Sequence, residues 1–311
     1  MNNIICIAGP TASGKTALAV ELAKITNGEI ISCDSMQIYR RMDIGTAKPT
    51  EEEKQGIVHH MIDICEPDDD FSVSRYCDMA TPILDDILAR GKTAIIAGGT
   101  GLYMDSLIKG NDFAPFPSTG MREKLEAQAD REGMEAMLSL LNSIDPEASA
   151  KLHLADRKRI IRALEVYYET GETITAHNLR TQSIPARYSP LWIGLDFEPR
   201  EELYRRIDLR VDIMLQQGLV DEIRELLASG IPAKSTAMQA IGYKEFVAAL
   251  SGCGTIEAAA EEVKKSSRHY AKRQLTWFRR NKAMHWLTRS PGEGTEEIIR
   301  RARQLLIESD N

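Results

Sequence analysis

One stretch constrains this chain more than any other. GPTASGKT, Gly9 to Thr16, fits the pattern G-x-x-x-x-G-K-[ST]. Before it stands NIICIA, an apolar run of strand length, and after it ALAVELAKI is apolar at helical spacing. A strand, a glycine loop and a helix in that order make backbone N–H groups and a helix N-terminus converge on an anion. Gly9 and Gly14 let the chain turn tightly and approach a phosphate with no Cβ in the way. Pro10, Thr11, Ala12 and Ser13 would wrap the anion, Lys15 would reach its terminal phosphate, and the Thr16 hydroxyl would be a magnesium ligand. The plainer alternative is a glycine turn joining a buried strand to a helix, which flanks this good disfavour. The pattern specifies phosphate without specifying a nucleotide.

Strand-like and helical runs alternate from there. NIICIA, EIISCD, HHMIDI and TAIIAG read as strands; ALAVELAKI and SRYCDMATPILDDILA, the latter interrupted by Pro82, read as helices. That alternation predicts an α/β chain: a P-loop-type, doubly wound parallel sheet with ligands at the carboxyl ends of its strands. Near Phe113 the pattern changes. FAPFPSTG punctuates the chain, and MREKLEAQADREGMEAMLSLL and ADRKRIIRALEVYYETG follow as helices with no strand between them. An inserted all-helical domain is therefore expected over residues 115–190, between a first part of the core at 1–114 and a second at 191–311. The second part opens with SPLWIGLDF, whose Trp192 to Phe197 resemble a strand returning to the sheet. Amphipathic helices follow from Glu201, then a turn at SGIP and a long C-terminal helix from Ile256 to Lys282.

Composition sets bounds. A chain of 311 residues, 43% hydrophobic and 27% charged, is an ordinary globular protein with ample core. Cys6, Cys33, Cys65, Cys77 and Cys253 form no C-x-x-C pair, so neither a zinc site nor a disulfide framework is indicated. No apolar run approaches ~18 residues, and no basic-then-apolar leader opens the chain. No membrane association and a cytoplasmic location are expected. The net charge of −7 argues against nucleic acid, but its distribution argues the other way. From Lys264 to Gly292 there is no acidic residue, while Lys264, Lys265, Arg268, Lys272, Arg273, Arg279, Arg280, Lys282 and Arg289 all fall there. A local basic face can hold a phosphate backbone, because charges beyond a Debye length of about 8 Å are largely screened.

A P-loop nucleotidase also needs an acidic residue closing a hydrophobic strand. Here TAIIAGGTG ends in Gly98-Gly99; Asp63, after HHMI, could substitute, although the CEP that follows reads as loop. EIISCD instead runs straight into DSMQIYRRMDIGTAKP, so Asp34 lies just past a strand end. That is a place for a general base or a carboxylate of the magnesium shell, and a helix N-cap is a compatible reading. GGTGLY is a second glycine loop, whose Thr100 hydroxyl could donate to a leaving-group oxygen; IGYKE marks a break between helices. In RHYAKRQLTWFRRNK, Arg268, Lys272, Thr276 and Arg279 share one helical face, with Tyr270, Trp277 and Phe278 interleaved. Basic plus aromatic suits RNA. A solvated basic face over core aromatics is the plainer alternative, and Trp277, which lies beside the basic face, reads as core.

In this order and at these spacings, GPTASGKT, DSMQIYRRMDIGTAKP, GGTGLY, MQAIGYKE and KRQLTWFRR resemble the tRNA dimethylallyltransferase family, also called tRNA isopentenyltransferases. The likeness runs from Gly9 to Trp286, DSMQIY-x₅-GTAKP being its most specific part, and it is to the shorter bacterial form. It implies that the P-loop holds the diphosphate of dimethylallyl diphosphate. The N6 of the adenosine 3′ of the anticodon, flipped from its stack, attacks the allylic carbon and diphosphate leaves. It implies Mg²⁺ on Thr16, Lys15 and Arg210 on the diphosphate, Asp34 as acceptor of the N6 proton, and Thr100 beside the substrate. For the tRNA anticodon stem-loop it implies contacts at Asp34, Ser35, Met36, Gln37, Thr100 and Arg122, and at Lys158, Arg159, Ile160, Ile161 and Arg162. Further implied contacts are Gln239, Ala240, Ile241, Gly242, Tyr243 and Lys244, then Lys272, Arg273, Gln274, Leu275, Thr276, Trp277, Phe278 and Arg279. The rival readings are a P-loop small-molecule kinase, which would turn over ATP, and a non-catalytic RNA-binding protein with a vestigial P-loop. The oligomeric state is left open, a monomer included.

Overall fold

Strands β1 (Ile4–Ala8), β2 (Gly28–Cys33), β3 (His59–His60), β4 (Thr93–Gly98), β5 (Leu191–Phe197) and β6 (Met284–Arg289) form one sheet in the order β3-β2-β4-β1-β5-β6. Every neighbouring pair is parallel. The computed structural model describes residues 3–110 and 119–309, so the expected boundary at 114/115 and most of FAPFPSTG lie outside the described residues. Strands β1, β2 and β5 are buried at every position, as parallel strands covered on both faces must be. Because all six run the same way, Gly9, Asp34, Gly99 and Arg289 are delivered to a single rim, the carboxyl edge. The doubly wound parallel sheet expected from strand–helix alternation is thus present.

Two compact units make up the chain. The first comprises Met1–Gly110 and Arg187–Asn311 and holds the sheet. Leu18, Val20 and Leu22 of the helix Lys15–Thr26 pack with Ile5, Ile95 and Ile193 of the sheet and with Ile298 and Ala302 of the helix Thr295–Ser309. A separate cluster gathers Ile38, Tyr39, Met42, Val211, Leu219, Tyr243 and Phe246. The second unit, Asn111–Ala186, has helices and no strand among its described residues, with Leu125, Met137, Leu141, Ile160, Ile161 and Leu164 as its core. Asp145 is buried there because its carboxylate accepts from the Ala148 and Thr175 N–H groups and from the Thr175 hydroxyl.

Four expectations are corrected. Strand β6, MHWLTR, was not legible, since His285, Thr288 and Arg289 break up any apolar run and its burial does not alternate. The helix expected to reach Lys282 ends at Phe278, capped by Arg279, to leave room for that strand. HHMIDI shortens to His59–His60, because Met61 and Asp63 take positive φ values of 63° and 55° and leave the sheet. Pro82 does not break its helix, which runs continuously as Val73–Ala89. Pro82 and Asp78 are exposed, so the carbonyl that loses its donor can be solvated.

Far from the carboxyl rim, at the start of β2, Glu29 is a buried carboxylate with three cationic or imidazole partners. Arg90 Nη2 donates to it at 2.9 Å, Lys92 Nζ at 2.7 Å, and His60 Nε2 lies at 2.8 Å. Hydrogen bonding from Arg90, more than any other influence, holds its carboxyl below the usual range. A depressed folded pKa means stabilisation that is complete above the unfolded value near 4.3 and is lost as pH falls through the folded value. Glu29→Gln should therefore cost about 1.5–3 kcal/mol at pH 7. Urea unfolding at pH 7 and pH 3 should show the gap to wild type narrowing in acid; a gap independent of pH would remove the ionised carboxylate as its source.

Candidate active site

The phosphate loop leaves β1 at Gly9 and enters its helix at Lys15. Lys15 Nζ donates to the Pro10 carbonyl at 2.6 Å, which folds the ammonium back over the loop. Burial, first, and the Arg210 guanidinium, second, push Lys15 down to about 8, with Asp34 opposing them. Burial also lowers Arg210, with Asp34 and Glu53 opposing and Arg206 reinforcing. Arg206 Nε donates to the Ala12 carbonyl at 3.0 Å and its guanidinium lies over the Phe197 ring at 5.4 Å; Arg289 covers the same ring at 5.5 Å. Lys15, Arg206, Arg210 and Arg289 thus crowd one loop. Such a cluster is complementary to a multiply charged anion.

Sequence reasoning found Lys15 and Arg210 and missed the other two. Arg206 lies one helical turn before Arg210, an i, i+4 relation that was available as a signal. Arg289 sits on the strand that was not foreseen.

The acceptor side is built from β2 and β4. Asp34 follows β2 directly, and its Oδ1 accepts from the Met36 N–H at 2.8 Å and the Gln37 N–H at 3.4 Å. Asp34 therefore caps a turn, not the helix that the N-cap reading expected, since no helix forms over residues 35–41. Its Oδ2 has no hydrogen-bond partner among the described residues. Gly98 ends β4 where a Cβ would fall 1.9 Å from the Cys33 carbonyl oxygen, so only glycine permits the two strand ends to meet. Thr100 follows: its Oγ1 accepts from the Ser35 N–H at 3.0 Å and donates to the Ser35 hydroxyl at 3.4 Å. Asp34 and Thr100 are in this way brought to adjacent turns.

Gln37 ties the first turn to GTAKP, its amide nitrogen donating to the Ala47 carbonyl at 3.2 Å. The middle of that segment is held by Glu222, whose carboxylate accepts from the N–H groups of Asp43, Ile44 and Gly45 at 2.8, 2.7 and 3.2 Å and from the Tyr243 hydroxyl at 2.7 Å. At Gly45 a Cβ would come 2.4 Å from the Tyr243 ring. IGYKE and GTAKP are therefore halves of one contact, which no local pattern reveals.

The helix Ile256–Phe278 brings the basic stretch to the same rim. Gln274, 6% exposed, accepts from the Thr11 N–H at 3.0 Å and donates to the Gly99 carbonyl at 3.0 Å, linking the phosphate loop to the second glycine loop. Trp277 is half-buried and its indole N–H donates to Asp105 at 2.9 Å. Arg268 pairs with Asp208 at 2.6 Å and Arg279 with Asp196 at 2.8 Å, so acids from other elements neutralise part of the basic run. Lys272 and Arg273 are exposed without a carboxylate partner among the described residues, Arg273 lying over the Tyr270 ring. Thr276 is exposed too.

Several side chains in the implied tRNA ranges are interior. Ile160, Ile161, Tyr243, Leu275 and Phe278 are at most 2% exposed, so those side chains are core and the surface is left to their neighbours. Lys158, Arg159, Gln239 and Lys244 are exposed; Ser35, Met36, Ala240 and Ile241 are half-buried, and Gly242 is buried. Arg122 and Arg162 both pair with Glu165 at 2.8 Å. Asp63 does not serve as a strand-ending acid: it lies on an exposed loop, paired with Lys48. Among the described residues no group of three His, Cys, Asp or Glu side chains could hold a metal. Thr16, half-buried in the first turn of the loop helix, still fits a magnesium ion, which commonly takes one or two protein ligands and completes its shell with phosphate oxygens and water.

The family described as IPP transferase matches residues 37–281, and that described as isopentenyl transferase matches residues 2–68. The chain is 46% identical over 307 residues to the tRNA dimethylallyltransferase of Acetivibrio thermocellus, covering 98% of each chain. It is similar to the crystal structure of a tRNA isopentenylpyrophosphate transferase from Bacillus halodurans: 41% identity, 100% and 99% coverage, TM-score 0.73. A eukaryotic dimethylallyltransferase, solved acting on tRNA, matches at 28% identity over 99% of this chain and 80% of that one, with a TM-score of 0.84. Among the described residues no helix is long and apolar enough to cross a membrane.

Proposed function

The chain belongs to the tRNA dimethylallyltransferase family, and from that premise we propose that it transfers a dimethylallyl group from dimethylallyl diphosphate to N6 of the adenosine 3′ of the anticodon. The observation that carries this reading is the pairing of strand ends. A cation-crowded phosphate loop stands at the end of β1, a carboxylate follows β2, and β4 between them ends in glycine. A nucleotidase needs its acid on such a strand to order magnesium and water. A diphosphate leaving group needs charge neutralisation and an acceptor for the nucleophile's proton.

The N6–C bond forms as the allylic C–O bond breaks. The electron pair leaves with diphosphate, and the N6 proton goes to the Asp34 carboxylate. Lys15, Arg206, Arg210 and the loop N–H groups stabilise the charge growing on the leaving oxygens, with Arg289 alongside. Thr16 would be the protein ligand of a magnesium ion, which when bound would neutralise the diphosphate further. Thr100, held by Ser35 on the turn that follows Asp34, orients the incoming amine. Incubation with labelled dimethylallyl diphosphate and unmodified tRNA tests the reading: label should enter tRNA, and label in free dimethylallyl alcohol alone would refute it.

tRNA binding should draw unequally on the basic helix. Lys272 and Arg273 are uncompensated and exposed, whereas Arg268 and Arg279 are already paired. Lys272→Ala and Arg273→Ala should each flatten the plot of log affinity against log salt by about one unit. Arg268→Ala should change the slope less. Equal effects from all three would show that the ion pairs open when tRNA docks.

A further inference from the structure

β4 is the strand from which a carboxylate would reach Thr16, and it offers none. Beside Thr16 lies instead a small cavity of about 30 Å³, between the helix Lys15–Thr26 and the sheet, lined among others by Ser32, Gln37, Ala97 and His59. That volume holds one water. Two of its polar walls already have partners: Ser32 Oγ donates to Gln37 Oε1 at 3.0 Å, and the Gln37 amide nitrogen donates to the Thr46 and Ala47 carbonyls. His59 differs. Its Nδ1 lies 2.9 Å from the Ile57 carbonyl oxygen, so Nδ1 carries the hydrogen and Nε2 of the neutral ring is an acceptor. Nε2 is buried with no hydrogen-bond partner among the described residues. A buried acceptor left unpaired costs free energy, so a donor is expected. Burial is the largest influence on the ring and lowers its pKa, which keeps the acceptor form.

We propose that His59 is a positioning residue for the phosphate loop, acting through one water held in this cavity: the Thr16 hydroxyl donates to the water, and the water donates to His59 Nε2. Ser32 Oγ is an acceptor for the water's second hydrogen. With its proton directed backwards, Thr16 turns its oxygen lone pairs towards the loop, where the metal–diphosphate binds. The imidazole thereby does for this hydroxyl what a strand-ending carboxylate does in a nucleotidase, without adding a negative charge opposite a departing diphosphate. The inference rests on reading the loop as a diphosphate site.

Two variants divide the two ring nitrogens. His59→Asn keeps an N–H near Nδ1 for the Ile57 carbonyl and removes the Nε2 acceptor; His59→Gln reaches the Nε2 position with an acceptor and gives up the bond to Ile57. Binding of inorganic diphosphate by the full chain is measured calorimetrically while magnesium is titrated, together with melting temperature. His59→Asn should bind about 10–100-fold more weakly, the usual effect of losing an outer-shell partner, and His59→Gln should recover most of that loss. Melting temperature should rank the other way, with His59→Asn closer to wild type. Unchanged affinity in His59→Asn, or losses in both variants that follow their melting temperatures, overturns the proposal. Lys15→Ala is the reference. If wild type binds diphosphate no better than Lys15→Ala, the diphosphate reading fails and the His59 role with it. If binding depends on Lys15 and His59→Asn matches wild type, only the His59 role fails.

Discussion

Lys15→Ala should lower prenyl transfer by about 10³-fold or more while tRNA still binds. Removal of one preorganised donor from a developing negative charge commonly costs 10²–10³, and Lys15 contributes a full charge from a half-buried position inside the loop. Arg206 does not take its place: its Nε stays on the Ala12 carbonyl and its guanidinium over the Phe197 ring, which fix where its remaining N–H groups reach. Lys15→Arg should not rescue, since a planar fork does not occupy the space of a compact ammonium. Tolerance of the fold is expected, because the side chain's one hydrogen bond is to a loop carbonyl. The same purified protein should show no ATP hydrolysis stimulated by tRNA. Robust ATPase activity that requires Lys15 would instead revive the kinase reading.

The parts of this site that were legible in the sequence are those that short peptides specify. A glycine loop between a strand and a helix must look like GPTASGKT, because the turn and the backbone approach exclude most side chains. DSMQIY was legible for a similar reason: an Asp just past a strand end caps the turn that follows. What could not be read are the pairings made by topology. Gln274 meets Thr11 across 263 positions of sequence, and nothing in RQL shows which carbonyl and which N–H its amide will join. In the sequence Glu222 is one helix acid among many; in the fold the N–H groups of Asp43, Ile44 and Gly45 close around it. The uneven burial of MHWLTR hid β6, and with it Arg289. Composition misled in one respect, since an acid-free stretch is not an uncompensated one: Asp196 and Asp208 arrive from other elements.

Asp34→Asn should lower the turnover rate by about 10²-fold or more, the span of general-base work, and should do so with the fold and the diphosphate site intact. The two carboxylate oxygens have different tasks. Oδ1 is committed to the Met36 and Gln37 N–H groups, and an asparagine Oδ1 can keep both bonds. The substitution therefore preserves the turn after β2 and removes only the ionised acceptor that Oδ2 supplies to N6. Asp34→Ala would lose the cap as well, which makes it the poorer test. Charge gives the sign of the binding effect. Asp34 opposes the positive field of Lys15 and Arg210, so neutralising it should leave dimethylallyl diphosphate affinity unchanged or somewhat tighter. The expected pattern is a fall in kcat with KM for dimethylallyl diphosphate level or lower, the mark of an interaction made in the transition state rather than in substrate binding. Single-turnover rates and equilibrium binding measured on the same preparation would separate the two. Near-normal turnover in Asp34→Asn would return Asp34 to the role of a cap and move the proton acceptor elsewhere on the rim.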